Sequence, residues 1–231
     1  MRTLVFVTLI ASTLANPKYP DTCGIENKPS VDSRIIGGQE AVRSQFPWLA
    51  AVFTHGECTG SILDENWIIT AKHCIDLNGV ARVRVGAHSK YGSIIDEKNM
   101  QIRENLSAPF CLPTRANVSS SFIGSKATIT GWGVNSFDRA NYAELYFAKN
   151  VSIIQCNQGK DIICTDANHG KAVCFGDSGG PLNYEMENGR YMQIGVNQFV
   201  TNWKCVGGIN GVARVSSHLD FIQEVTGIVI E

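Results

Sequence analysis

The sequence predicts an all-β protein, a barrel or a sandwich, with a single helix at its end. Three observations predict it. After Ile35 the chain runs as short apolar stretches broken by Gly, Asn and Asp. Several of these stretches alternate in polarity with the period of a strand. Only the C-terminal segment shows helical spacing.

Taken in order, 47–53 (PWLAAVF) reads as a buried strand and 67–70 as another. Val80 to Gly86 alternates, with Val80, Arg82 and Arg84 set against Ala81, Val83 and Val85. Lys126 to Thr130 alternates as well, and Glu144 to Ile154 is strand-like. Asn188-Gly189 is a hairpin-turn signal between apolar stretches at 182–184 and 192–196. Ser217 is placed to cap the helix, with Asp220 three residues on and Leu219, Ile222, Val225 and Thr226 on one face.

Length and composition bound the function. The 231 residues allow one large β domain or two small ones. A hydrophobic share of 44% excludes disorder. Lys+Arg 20 against Asp+Glu 21 excludes nucleic-acid binding by bulk charge, and no run of eighteen apolar residues is present to span a membrane. Neither nucleic acid nor membrane is therefore an expected partner.

The first segment reads as an address. Met1-Arg2 is a basic start, Leu4 to Ile10 is apolar, and Thr13-Leu14-Ala15 places small residues where a signal peptidase cuts. Residues 1–15 are the expected signal peptide. Residues 16–34, polar and carrying Pro17, Pro20 and Pro29, are a leader without a core of its own; 35–231 is the folded domain. An extracellular destination makes the eight cysteines candidates for disulfides. Three sequons, at Asn105, Asn117 and Asn150, fit the same compartment. His55, His88, His169 and His218 show no ligand spacing, so neither a metal nor a cofactor is expected.

Three segments carry chemistry. In 174–181 (CFGDSGGP), Ser178 is bracketed by glycines, which let a backbone turn sharply and expose the hydroxyl. The amides of Gly176 and Ser178 are placed to meet an oxyanion, and Asp177 is an acid beside the nucleophile that awaits a cation. In 70–74 (TAKHC), His73 at the end of an apolar strand suits a general base. In 33–38 (SRIIGG), cleavage after Arg34 would create a new ammonium on Ile35.

Together these segments resemble the chymotrypsin/trypsin family of secreted serine proteases, from Cys23 to the C-terminal helix. The style of 111–113 (CLP) and 131–133 (GWG) is similar to arthropod clip- and CUB-type members. The resemblance implies two packed six-stranded antiparallel barrels with the active site in their seam. It implies that Ser178 attacks a peptide carbonyl of a protein or peptide substrate, that His73 relays the proton, and that Gly176 and Ser178 form the oxyanion hole. It implies a zymogen, cut after Arg34 by an activating protease, in which the Ile35 amine pairs with Asp177. It also implies disulfides Cys23–Cys111, Cys58–Cys74, Cys156–Cys164 and Cys174–Cys205.

The sequence departs from the family in several places. Members space the triad's His and Ser roughly 138 residues apart, whereas His73 and Ser178 are 105 apart. The shortfall falls between Val83-Arg84-Val85-Gly86 and Glu104–Pro113, where the aspartate-bearing strand belongs. No catalytic aspartate is assigned, the first barrel is expected to lack a strand, and catalysis is expected to be impaired, with an inactive, partner-binding homologue or a shortened splice or gene-model form as the alternative. Asp76, Asp96, Glu97 and Glu104 are nearby acids, read as solvated charges. Lys72 precedes the histidine in place of a small residue, and Thr59 replaces a glycine. The specificity pocket differs too. Ala172 holds the position of the trypsin-like aspartate, followed by Val173, and the wall reads Gln198, Phe199 and Val200. An uncharged, narrowed pocket favours a small or medium apolar residue before the cut, because a buried cation there would have no partner.

Overall fold

A computed structural model describes residues 22–28, 38–75, 81–91, 108–135 and 143–231. The regular structure of the described residues is mostly β. Strands β1 (Gln39–Glu40), β2 (Leu49–Phe53), β3 (Glu57–Ile62), β4 (Ile68–Ile69) and β5 (Arg82–Val85) precede β6 (Lys126–Gly131), β7 (Tyr146–Ile154), β8 (Ile162–Asp166), β9 (Pro181–Glu185), β10 (Tyr191–Val200) and β11 (Ile209–Arg214). One helix, α1 (Leu219–Thr226), follows.

The later strands pair antiparallel in the order β7-β6-β9-β10-β11-β8, and a β7–β8 pairing closes them into a six-stranded barrel, with β1 added outside β7. The earlier strands form a sheet of order β4-β3-β2-β5 that does not close among the described residues. An all-β fold with a closed six-stranded barrel, a second sheet and a short terminal helix is what the described residues adopt. The stretch to which the missing strand is assigned lies mostly outside the described residues.

Apolar patterning explains the strands. In β10 the seven residues Tyr191–Asn197 are all buried, because β9 and β11 flank it and both faces are covered. The Asn188-Gly189 turn closes the β9–β10 hairpin, with Met186 N–H donating to Arg190 O at 2.8 Å. Inside the barrel pack Ile129, Val151, Ile153, Ile163, Leu182, Ile194 and Val212. A second core lies between the barrel and the open sheet, around Phe46, Trp48, Phe110, Trp132 and Tyr191. Phe46 meets Trp48 and Phe147 edge-on at 5.7 and 5.1 Å, and each such pair adds about 0.5–1.5 kcal/mol beyond its burial.

The helix departs from expectation at its start. Val215–His218 form a 3-10 turn that includes Ser217, so the α-helix begins one residue after His218, and no side chain caps it. Leu219 and Ile222 are buried, but Val225 is exposed, so the buried face is a single turn. The helix then stops at Gly227.

Four disulfides are formed, in the pairing that the resemblance implies: Cys23–Cys111, Cys58–Cys74, Cys156–Cys164 and Cys174–Cys205. Residues 22–28, within the expected leader, dock on the barrel. Gly24 accepts from Tyr191 N–H at 2.7 Å and donates to Pro109 O at 2.8 Å. The buried Glu26 carboxylate meets Lys149 Nζ at 3.0 Å and accepts from Gln45 Nε2 at 2.7 Å.

Candidate active site

The site is built on the turn that leads into β9. Asp177 N–H donates to Cys174 O at 2.9 Å and Gly180 N–H to Asp177 O at 3.0 Å, which makes two tight turns in succession. Gly176 (φ 99°) and Gly179 (φ 82°) occupy the left-handed region that favours glycine. At Gly179 a Cβ would lie 2.1 Å from Thr70 Oγ1 and 2.4 Å from Thr59 O, so the backbone there is pressed against the open sheet. Ser178 sits between these glycines. Its carbonyl accepts from Thr59 N–H at 2.9 Å and lies 3.5 Å from Cys74 Sγ. Among the described residues, the amides of Gly176 and Ser178 donate to no protein acceptor. The two donors expected of an oxyanion hole are therefore uncommitted.

Thr59, flagged by the sequence as a departure, has a defined place. It is fully buried, and its hydroxyl donates to Gly176 O at 2.9 Å. Thr59→Val keeps the shape and deletes that donor, leaving a carbonyl of the turn unsatisfied. The expected loss is about 1–2 kcal/mol of unfolding free energy, measured as a shift in urea midpoint without a change in slope.

His73 lies on the 3-10 turn Lys72–Cys74, which follows β4 and is tied to β3 by the Cys58–Cys74 disulfide. The same disulfide touches the Ser178 carbonyl, so the histidine turn and the serine turn share one support. The His73 ring is exposed and lines a cleft of about 650 Å³ together with His55, Glu57 and the disulfide. No hydrogen bond joins it to Ser178, and no carboxylate meets it, among the described residues. Asp76, Asp96, Glu97 and Glu104 lie outside them. Lys72 is exposed to solvent. Cys58, His73 and Cys74 have their ligand atoms within 4.8 Å of one another. Both sulfurs belong to a disulfide and offer no thiolate, so this is not a metal centre.

Asp177 turns its carboxylate inward. Oδ1 accepts from Gly133 N–H at 2.8 Å and Oδ2 from Cys174 N–H at 2.9 Å. Burial nevertheless dominates and raises its pKa to about 6; the two amides and the charge of Lys90 oppose the rise. Arg34 and Ile35 lie outside the described residues.

The expected specificity residues are spread over the barrel's end. Ala172, Phe199 and Val200 are half-buried and Gln198 is exposed. Val173 is part of the barrel interior, and Val200 packs against that interior. The Phe199 ring covers Gly211, where a Cβ would lie 2.0 Å from Phe199 Cζ. Two buried asparagines stand beside them: Asn197, which the sequence places in the same wall segment, and Asn210, which sequence reasoning missed. Asn197 donates to Asp177 O at 3.2 Å, and Asn210, paired with Val200 across β10–β11, donates to Thr165 Oγ1 at 3.2 Å. The Oδ1 atoms of both asparagines have no hydrogen-bond partner among the described residues. An Asn before Gly211 reads as a turn signal, which hid Asn210.

Of the sequons, Asn105 lies outside the described residues. Asn117 uses its Oδ1 to accept from Thr114 N–H at 2.9 Å. Asn150 is exposed at an irregularity of β7, with φ 61°.

Comparison with known proteins places this geometry in context. The family model described as Trypsin matches residues 35–109 and 97–222, two pieces that overlap at 97–109. The chain is 31% identical to brachyurin of Leptuca pugilator, over 84% of this chain and 99% of that protein. It is 30% identical to a collagenase of Hypoderma lineatum, over 86% of this chain and 89% of that protein. It is 29% identical to proclotting enzyme of Tachypleus tridentatus, over 90% of this chain and 70% of that protein. A solved structure of HL collagenase superposes with a TM-score of 0.68 at 28% identity, covering 85% of this chain and all of that one.

Proposed function

The chain belongs to the trypsin family of serine proteases, and on that premise we propose that it is a secreted endopeptidase precursor with an incomplete triad. Residues 1–15 direct export, 16–34 form the leader and 35–231 the protease domain. Ser178 attacks the carbonyl of a protein or peptide substrate, His73 takes the proton and returns it to the leaving amine, and the amides of Gly176 and Ser178 hold the oxyanion. The observation that carries this reading is the Ser178 turn, with its carbonyl anchored on Thr59 and two amides uncommitted. Nothing in this reaction requires a cofactor.

Activation follows cleavage after Arg34 by another protease. The new Ile35 ammonium pairs with Asp177, whose carboxylate accepts from the Gly133 and Cys174 amides. Neither charge is tolerable inside without the other, which makes the pair a switch rather than a source of stability. That a relative is named a proclotting enzyme supports a form that awaits cleavage.

A second reading, an inactive homologue that binds a partner, is favoured by the exposed His73 with no carboxylate beside it among the described residues. One experiment separates the two. The chain is cut after Arg34 and exposed to a fluorophosphonate probe. Labelling that Ser178→Ala abolishes supports the enzyme; folded, cut protein that stays unlabelled leaves only the binding role. If it is active, alanyl and leucyl reporters are expected to be cleaved at least tenfold faster than arginyl ones, because Ala172 offers a cation no partner. Faster arginyl cleavage would sink that pocket assignment.

A further inference from the structure

A cleft of about 680 Å³ opens beside the Cys156–Cys164 disulfide, between β7, β8 and the start of α1, and shares no lining residue with the His73 cleft. Its volume is that of a small-ligand site, roughly 300–1,000 Å³. Arg214, the last residue of β11, stands on its wall and is half-buried. Its Nε donates to Lys160 O at 2.8 Å and its Nη1 to Ser120 O at 2.9 Å. Both acceptors are neutral carbonyls, and among the described residues Nη2 donates to none. Burial lowers the pKa of this guanidinium, and the charge of Asp161 opposes the fall.

A second polar group lines the same cleft. Ser216 is 4% exposed, and its hydroxyl makes no hydrogen bond among the described residues. A buried hydroxyl left in that state costs about 1–3 kcal/mol. Val215, between Arg214 and Ser216, packs in the core with Leu219 and Ile222 and does not line the cleft. The other charges on the wall balance. Arg115 and Asp220 meet at 2.7 Å, and Lys160 and Asp161 add one charge of each sign. Arg214 is the cation left over. Much of the remaining wall is apolar, with Val118 and Ile123 exposed on it beside Ile154 and Ile162.

We propose that this cleft binds a small monocarboxylate that carries an apolar chain. The carboxylate accepts from Nη2 of Arg214 and from the Ser216 hydroxyl, the two donors that the fold leaves without acceptors. The chain lies along Val118, Ile123, Ile154 and Ile162. One surplus positive charge matches one anionic group, whereas a polyanion would also meet Asp161 and Asp220. A cation would face Arg214 without compensation, and a neutral alcohol would forgo the charge-assisted bond. Ser178, His73 and Asp177 take no part, so the site stands apart from the proposed reaction.

The test is isothermal titration of the folded, full chain with sodium decanoate. Binding is expected with a Kd on the order of 0.1 mM, with decanol about tenfold weaker and acetate without measurable heat. Arg214→Gln should weaken decanoate about tenfold and Ser216→Ala about threefold. Ser216→Ala deletes an unsatisfied hydroxyl, so the urea midpoint of the unliganded chain should hold or rise. A lower midpoint with parent affinity marks a structural serine and overturns the proposal. Absence of decanoate binding, equal binding of decanoate and decanol, or parent affinity in Arg214→Gln overturns it as well. Arg214 ties Lys160 to Ser120, and should its variant fail to fold, Ile123→Glu takes its place. That change sets a carboxylate at a 48%-exposed position on the apolar wall. It should weaken decanoate about tenfold by like-charge repulsion, and parent affinity there overturns the proposal. Titration needs no reactive serine, so a negative fluorophosphonate result does not bear on this outcome.

Discussion

Between pH 4 and pH 7 a chain that holds Asp177 buried, with no ammonium beside it, is expected to lose on the order of 3 kcal/mol of folding stability through that carboxylate alone, and Asp177→Asn to abolish that loss. The sign follows from the direction of the shift. Burial raises the folded pKa from 3.8 to about 6. Between those values the folded chain holds a proton that the unfolded chain has released. The stabilising contribution is therefore complete below the ordinary carboxyl pKa and is lost as pH rises through about 6. Urea unfolding of Arg34→Gln, with and without Asp177→Asn, isolates the group, because every other carboxylate is common to both. Parallel pH profiles would show that the carboxylate is solvated before the cut. Cleavage after Arg34 should then reverse the slope in the native sequence only, since an ammonium beside Asp177 favours its charged form.

The second large effect concerns rate. Removing the orienting role of the triad aspartate lowers kcat about 10⁴-fold in this family, close to 5.5 kcal/mol of barrier. The cut chain is expected to turn over a leucyl anilide more slowly than a complete-triad relative by about that factor. His73→Ala should cost roughly a further 10²-fold, because members of a catalytic unit do not contribute additively. A rate within 10²-fold of the relative would mean that one of Asp76, Asp96, Glu97 or Glu104 has taken the missing role, and single Asp→Asn and Glu→Gln changes would identify it.

Much of this was legible in the sequence, and what was not has physical causes. Strands with strong apolar character, such as Leu49–Phe53 and Tyr146–Ile154, announce themselves, as does the Asn188-Gly189 hairpin. Glu57–Ile62 and Ile209–Arg214 do not. Their Gly, Asn, Thr and Ser residues read as loop, yet neighbours on both sides satisfy their backbones, and the Phe199 ring fills the space a side chain at Gly211 would take. Propensity yields there to tertiary pairing. The Ser178 turn was readable because its chemistry is local: glycines where φ is positive, an acid beside the nucleophile. The burial of Lys90 was not, because a lysine among small polar residues looks solvated until Trp132 and Glu57 arrive from 42 and 33 residues away. Thr59 was visible as an exception but not as a partner of Gly176, for the same reason.

The docked leader bears on how this protein must be made and handled. Cys23 and Cys111 join residues on opposite sides of the proposed cut, and Glu26 with Lys149 and Gln45 adds a noncovalent hold. Cleavage would yield two polypeptides that run as one on a non-reducing gel and separate only under reduction. Protein expressed from Ile35 onward would carry an orphan thiol at Cys111, a Lys149 without its counter-ion and a bare Tyr191 backbone edge. Such material is prone to disulfide-linked dimers, so the precursor, matured afterwards, is the form to prepare.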